Sequence, residues 1–169
     1  WLDGGRFRQF DTAQAVCRAY DLHVRKLESA RQEQGGRPAG GQRWGSGEIL
    51  IRSVQLLNRE AQPEHAFFCG ERMVVRIHYE AASPYENPSV YVLVTRQDGV
   101  LATSCFSGEE PADVGLFQGT DFVDVVFDPL LIGDGAYWLS AGIFPHKQGP
   151  ESIYRLDPFD YHERVCEFT

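Results

Sequence analysis

Lysine is nearly absent from this chain. Of its 16 Lys and Arg residues only Lys26 and Lys147 are lysines, and neither stands in a G-x-x-x-x-G-K-[ST] run, so no P-loop is present to cradle phosphates. No stretch approaches the ~18 apolar residues that a membrane span needs. The opening WLDGGRFRQF has no apolar core of the kind a signal peptide carries. The four cysteines, Cys17, Cys69, Cys105 and Cys166, form no CxxC or other zinc spacing. They are expected to be small, mostly buried thiols in a reducing compartment. Missing too is any Ser/His/Asp or Cys/His arrangement for nucleophilic catalysis.

Positive charge is scarce where most of the chain lies. Residues 1–46 hold 8 Lys and Arg against 5 Asp and Glu, a balance of +3; the remaining 8 and 19 fall in residues 47–169, a balance of −11. A field of that sign repels nucleic acid and anionic lipid and leaves neutral ligands open. Two acidic clusters invite a chemical reading. Asp157, Asp160, His162 and Glu163 match no zinc or EF-hand spacing and are expected to form a polar loop before a strand. Glu109 and Glu110 pair carboxylates as a glycosidase does, but on a loop with no apolar pocket to raise a pKa.

What is present is turn chemistry and alternation. Nine Pro and 17 Gly punctuate the chain. Trp1–Phe10 reads as a hairpin turning at Asp3-Gly4-Gly5, and begins as a piece of a longer protein would. A helix comes next, with Asp11 as N-cap, Gln14 as its capping-box partner, and Ala13, Val16, Cys17, Tyr20, Val24 and Leu27 on one stripe. Residues 32–47, QEQGGRPAGGQRWGSG, read as a flexible linker, with Trp44 packing back on the strands beyond it. The chain thus divides into 1–31, a linker of 32–47, and 48–169.

The third part is a series of strands. In Glu48–Asn58 the apolar parity changes at Arg52-Ser53, which predicts a bulge. Cys69-Gly70-Glu71 is a turn. Met73, Val75, Ile77 and Tyr79 alternate inward, with Arg76 and His78 on a solvated outer face. Ser83–Pro88 is expected as a loop carrying an exposed Tyr85. Val90, Val92 and Val94 oppose Tyr91, Leu93 and Thr95, and Gln97-Asp98-Gly99 turns into Val100–Phe106. After an acidic loop, Ser107–Gly119, the segment Thr120–Asp128 buries Val123, Val125 and Phe127. Gly133-Asp134-Gly135 then leads into the clearest strand. Tyr137, Leu139, Ala141 and Ile143 form its core row; Trp138, Ser140, Gly142 and Phe144 form the other. Ser152–Leu156 reads as a short strand, and Arg164–Phe168 as a last one of unassigned face. Short strands with turns between them predict an all-β, antiparallel sandwich, preceded by a short hairpin and one amphipathic helix. Tyr137 matches the tyrosine-corner position of immunoglobulin-like sandwiches.

In order and content these pieces resemble the carboxy-terminal part of the ATP-binding subunit of O-antigen polysaccharide ABC transporters, the Wzt type. WLDGGRFRQFDTAQAVCRAY looks like the end of the nucleotide-binding domain of polysaccharide exporters. Gly47-Glu48-Ile49, Phe68-Cys69-Gly70-Glu71, Asp98-Gly99, Leu130 and Gly133–Tyr137 continue the match. The resemblance implies an immunoglobulin-like domain that binds the non-reducing end of a finished glycan in lipopolysaccharide biosynthesis. It implies a homodimer that exchanges its last strand, Arg164–Phe168. It also implies a transmembrane transporter subunit as partner of the full-length chain, and a place in the cytoplasm at the inner face of the bacterial inner membrane. ATP and Mg belong to the missing nucleotide-binding domain; no cofactor and no enzymatic activity are expected of the chain in hand.

Sugars are bound by aromatic faces stacking on C–H patches and by planar polar groups reading hydroxyls. Trp138 and Ser140 on one strand, and Tyr91 and Leu93 on another, would share the outer face of one sheet if the strands are neighbours. Phe144 and His146 lie at the rim of that patch. Phe106 and Arg96 reach it if the next strand joins the same sheet. The plain alternative for Trp138 is burial beneath a loop or a dimer partner, and for Tyr91 a half-exposed strand position. A rival function is a dimerisation and coupling domain whose outer aromatics meet protein; a glycan hydrolase is a third. A phosphate-bearing cap would need a basic patch, for which only Arg76, Arg96 and Arg155 are at hand.

Overall fold

The computed structural model describes residues 2, 3, 5–13, 15, 16, 19, 20, 41–107, 113–146 and 157–169. The chain divides into two compact units, Trp1–Ala39 and Gly40–Thr169. In the first, β1 (Leu2–Asp3) and β2 (Arg6–Phe7) form the expected hairpin, turning through Gly5 at φ 74. Ala13, Ala15, Val16, Ala19 and Tyr20 are helical. Thr12, rather than Asp11, caps this start. Its Oγ1 accepts the Ala15 N–H at 3.4 Å and its carbonyl accepts the Val16 N–H at 3.0 Å, while Asp11, among the described residues, accepts the neighbouring Thr12 N–H. The stripe beyond Tyr20 lies outside the described residues.

The second unit is an antiparallel sandwich. Its larger sheet runs β3 (Arg43–Trp44), β10 (Asp160–Phe168), β9 (Tyr137–Phe144), β6 (Ser89–Arg96) and β7 (Leu101–Phe106). The smaller runs β4 (Ile49–Leu57), β5 (Met73–Glu86) and β8 (Leu116–Phe127). Alternation decides which side chains meet between the sheets. Ile51, Met73, Val75 and Ile77 come from the small sheet, and Val92, Val94, Leu139, Ala141 and Ile143 from the large one; all are fully buried. The bulge expected in β4 falls between Ile51 and Ser53. It keeps Ile51 inward and returns Leu56 to the core. Gly70, at φ 92, holds the third place of the 68–71 turn, where a side chain would be strained. Tyr137 closes the tyrosine corner: its hydroxyl donates to the Gly133 carbonyl at 2.8 Å.

Four segments differ from the sequence reading. Residues 116–119, read as the end of the acidic loop, open β8 instead, and Phe117 is buried there, stacked on Tyr79 at 3.9 Å. Ser83–Glu86 belongs to β5 rather than to a loop. A register shift between Ala81 and Tyr85 accommodates Pro84, after which Tyr85 and Glu86 pair with Phe117 and Leu116. Tyr85 is partly buried, edge-on against Phe159 at 4.8 Å. Residues 41–47 are not a free linker, since Arg43 and Trp44 pair with His162 and Tyr161 of β10. Gly41 and Gly45 permit this approach; a Cβ on either would stand 2.3 Å from a backbone oxygen, of Glu163 or Phe159. Asp160 is no loop residue. It opens β10, 2% exposed, and its carboxylate accepts from the Arg43 Nε and Nη2 at 3.0 and 2.7 Å and from the Ile51 N–H at 2.6 Å. That clamp joins β3 and β10 to β4, and so one sheet to the other. The proposed strand Ser152–Leu156 lies outside the described residues.

Candidate carbohydrate-binding face

The outer face of the larger sheet is built by β9 and its neighbours. Antiparallel pairing sets Tyr91 of β6 opposite Gly142 of β9, Phe106 of β7 opposite Tyr91, and Tyr161 of β10 opposite Gly142. Their rings gather over that glycine. Tyr91 lies 6.0 Å from Phe106, 6.3 Å from Phe144 and 6.5 Å from Tyr161. A Cβ on Gly142 would stand 2.7 Å from both the Phe144 and Tyr161 rings, so the space that Gly142 leaves on the strand is filled. Leu93 packs against this cluster. Trp44 covers its outer side, 4.5 Å from Tyr161, and remains 47% exposed. Tyr161 and Trp44 were not among the sequence candidates. Their approach to the other rings appears only once β10 is placed beside β9 and β3 beside β10.

Tyr91, Phe106 and Phe144 are thus brought together as expected, but as a second packed cluster, each below a tenth exposed. Ser140 is likewise buried, and its Oγ accepts the Arg164 N–H at 2.9 Å. That bond serves a bulge in β10 between His162 and Cys166, where Arg164 takes φ 49. His146 stands beyond β9, its N–H donating to the Tyr85 hydroxyl at 3.3 Å and its Nδ1 lying 3.0 Å from the Asn87 carbonyl. Arg96 pairs with Tyr137 at the other end of the strand and is held by Asp98 at 2.6 Å, so it does not join the patch.

Trp138 is partly buried and separate from the cluster, four residues along β9, about 13 Å at the rise of a strand. Its neighbours across the sheet are Thr95 and Glu167. The Gln97 amide donates to the Glu167 carboxylate, and since β9 runs between β6 and β10 this pair bridges the strand beside the indole. A carboxamide and a carboxylate next to a partly open indole are suited to a ring with one apolar face and hydroxyl edges. Sequence reading missed Gln97, because it belongs to a turn, and Glu167, because the face of β10 was unassigned.

No cluster of three or more His, Cys, Asp or Glu able to hold a metal occurs among the described residues. His162 Nε2 is buried 3.4 Å from Asp160 Oδ2 and belongs to the clamp. Burial pushes the Cys166 thiol up to about 12, away from thiolate chemistry. Cys105 is partly buried, whereas Cys69, against expectation, is exposed on the 68–71 turn; Cys17 lies outside the described residues. No helix among the described residues is long and apolar enough to cross a membrane.

Comparison with known proteins adds to this geometry. The profile of the Wzt C-terminal domain matches residues 41–169. The crystal structure of the C-terminal domain of Wzt superposes with a TM-score of 0.61 at 18% identity, covering 78% of each chain. No curated protein matches the chain.

Proposed function

The chain belongs to the Wzt C-terminal domain family, and on that basis we propose that it recognises the non-reducing end of an O-antigen polysaccharide and selects finished chains for export by an ABC transporter. The role is binding without catalysis. Trp138 flanked by the Gln97–Glu167 pair carries this reading: it offers a stacking face and planar hydrogen-bonding groups on a rigid strand. The exposed Trp44 on Tyr161 offers a second stacking face across the same sheet. The packed rings of Tyr91, Phe106 and Phe144, with Leu93, Ser140 and His146, would act as the floor and rim that hold the face in shape. Of the arginines the sequence offered for a charged cap, Arg76 is engaged by Asp124 and Arg96 by Asp98, which favours a neutral terminus over a phosphorylated one; Arg155 lies outside the described residues.

In the full-length protein the domain would work as a homodimer in the cytoplasm, at the inner face of the inner membrane, beside a transmembrane subunit and an ATPase that binds ATP and Mg. Titration with the organism's own O-polysaccharide tests the reading. Trp138→Ala should weaken binding by about 1–3 kcal/mol, by analogy with base–aromatic stacking. Absence of binding by the wild type would sink the function; undiminished binding by the variant would sink the site. The rival reading, a coupling domain that meets protein, is favoured by Phe122 and Val126, which stay 45% and 44% exposed on the outer face of the smaller sheet.

A further inference from the structure

The connection from β4 to β5, residues 58–72, folds into a cleft of about 450 Å³, inside the range of roughly 300–1,000 Å³ typical of small-molecule sites. Both walls are fixed from within. On one side the Asn58 Oδ1 accepts the Glu60 and Gln62 N–H groups, each at 3.0 Å, and Ala61 is held at φ 58, a conformation rarely adopted outside glycine. On the other side the Glu71 Oε2 accepts the Phe68 N–H at 3.0 Å. There the Gly70 N–H donates to Leu130 and the Leu130 N–H to Glu71, at 2.8 and 2.7 Å. The cleft is therefore shaped before any ligand arrives.

Its lining sets one exposed aromatic ring among planar polar groups, those of Asn58, Arg59, Glu60 and Arg72. Phe68 stands at the mouth, 77% exposed on its braced turn, so it contributes little to the core. Arg59 makes no ion pair or hydrogen bond with any described residue, and the Arg72 Nη1 is 3.8 Å from its nearest carboxylate, Asp128. Both guanidinium groups remain able to donate to hydroxyls. Glu60, Glu64 and Glu71 line the same space and outnumber them, which disfavours a phosphate or carboxylate ligand. The connection also leaves the fold where Trp138 lies. The Thr169 N–H donates to the His65 carbonyl at 2.9 Å, the Phe67 N–H donates to the Thr169 carbonyl at 2.7 Å, and Glu167 of the same strand end pairs with Trp138.

We infer that this cleft is a second saccharide subsite, taking a neutral pyranose ring whose apolar face stacks on Phe68 while Arg59, Arg72 and Glu60 meet its hydroxyls. The inference rests on the glycan-binding reading and extends it from the sheet face to this end of the sandwich. The test is amide NMR of the whole chain, titrated with methyl glycosides of neutral hexoses and N-acetylhexosamines, and separately with inorganic phosphate. Saturable shifts are expected at the Glu60, Phe68 and Gly70 amides. Phe68→Ala should weaken them roughly tenfold, consistent with the loss of one stacked ring, while Trp138→Ala leaves them in place. Shifts confined to the surroundings of Trp138 would overturn the cleft and leave the glycan reading standing. A response at the cleft to phosphate but to no glycoside would overturn its neutral specificity. If no glycoside moves these amides the subsite is refuted, and the polysaccharide titration then decides the wider function by itself. Because Phe68 is exposed, its removal should leave the thermal melt unchanged, so lost binding is not lost folding.

Discussion

Asp160 shows how one carboxylate can couple the stability of this fold to pH. Burial by itself pushes its pKa up, but the neighbouring His162 ring and the hydrogen bonds from Arg43 and the Ile51 N–H outweigh that and hold it at about 2. An unfolded Asp titrates near 3.9. The folded value is the lower, so the stabilisation is present in full above about pH 4 and is lost as pH falls toward 2. A difference of that size is worth roughly 2–3 kcal/mol. Urea denaturation as a function of pH should therefore show stability falling across that window, and Asp160→Asn should remove most of this slope. Asp160→Asn should also destabilise at neutral pH, because it leaves the Arg43 guanidinium without its charge partner. An unchanged slope in the variant would show that other carboxylates govern acid unfolding.

At the scale of elements, glycine is the residue whose meaning depends most on what lies beside it. The run from Gly35 to Gly47 has the composition of a flexible linker, yet Gly41 and Gly45 lie where a Cβ would strike the backbone of β10 or the residue before it. Close approach and looseness call for the same residue, so composition could not separate them. Gly45→Ala does separate them. For a strand seated on β10 the substitution should cost about 1–3 kcal/mol, as overpacking does, and should weaken the Arg43–Asp160 clamp. For a free linker it would be neutral or slightly stabilising. Chemical denaturation of the two chains gives the answer. Where period alone decided structure, the sequence was easy to read: the inward rows of β5, β6 and β9, the β4 bulge and the tyrosine corner all follow from alternation and turn residues. The candidate face was legible only in part. Alternation put Tyr91, Phe106, Trp138 and Phe144 on one side, but could not say that three would pack together over Gly142 and one would stand apart. Trp44, Tyr161, Gln97 and Glu167 depend on pairings between distant segments, which no local pattern encodes.

For the whole molecule, the decisive question is whose β10 completes the sheet. In this structure β10 pairs with β9 of its own chain. Cys166, Glu167 and Phe168 pair with Leu139, Trp138 and Tyr137, and the Phe168 ring, 1% exposed, lies 5.6 Å from Tyr137 and 6.1 Å from Phe67. A twin's strand placed there would make the same contacts, since exchange replaces an element by its copy. Its energetic difference from the closed chain is then limited to association and to the hinge. The bulge around Arg164, with its positive φ, is where the chain already departs from regular pairing, and in an exchanged form it would serve as the hinge. Exchange would also divide the candidate site, because Trp138 would come from one chain and Glu167 from the other. Complementation follows from that geometry. Trp138→Ala and Glu167→Ala chains should each bind saccharide poorly by themselves. If the two are unfolded together and refolded as mixed dimers, exchange rebuilds one intact site by joining Trp138 of one chain to Glu167 of the other, and joins both defects in the second site. Half the sites in each mixed dimer should then bind with wild-type affinity in a calorimetric titration. If each chain keeps its own strand, every site in the mixture carries one defect and no binding returns.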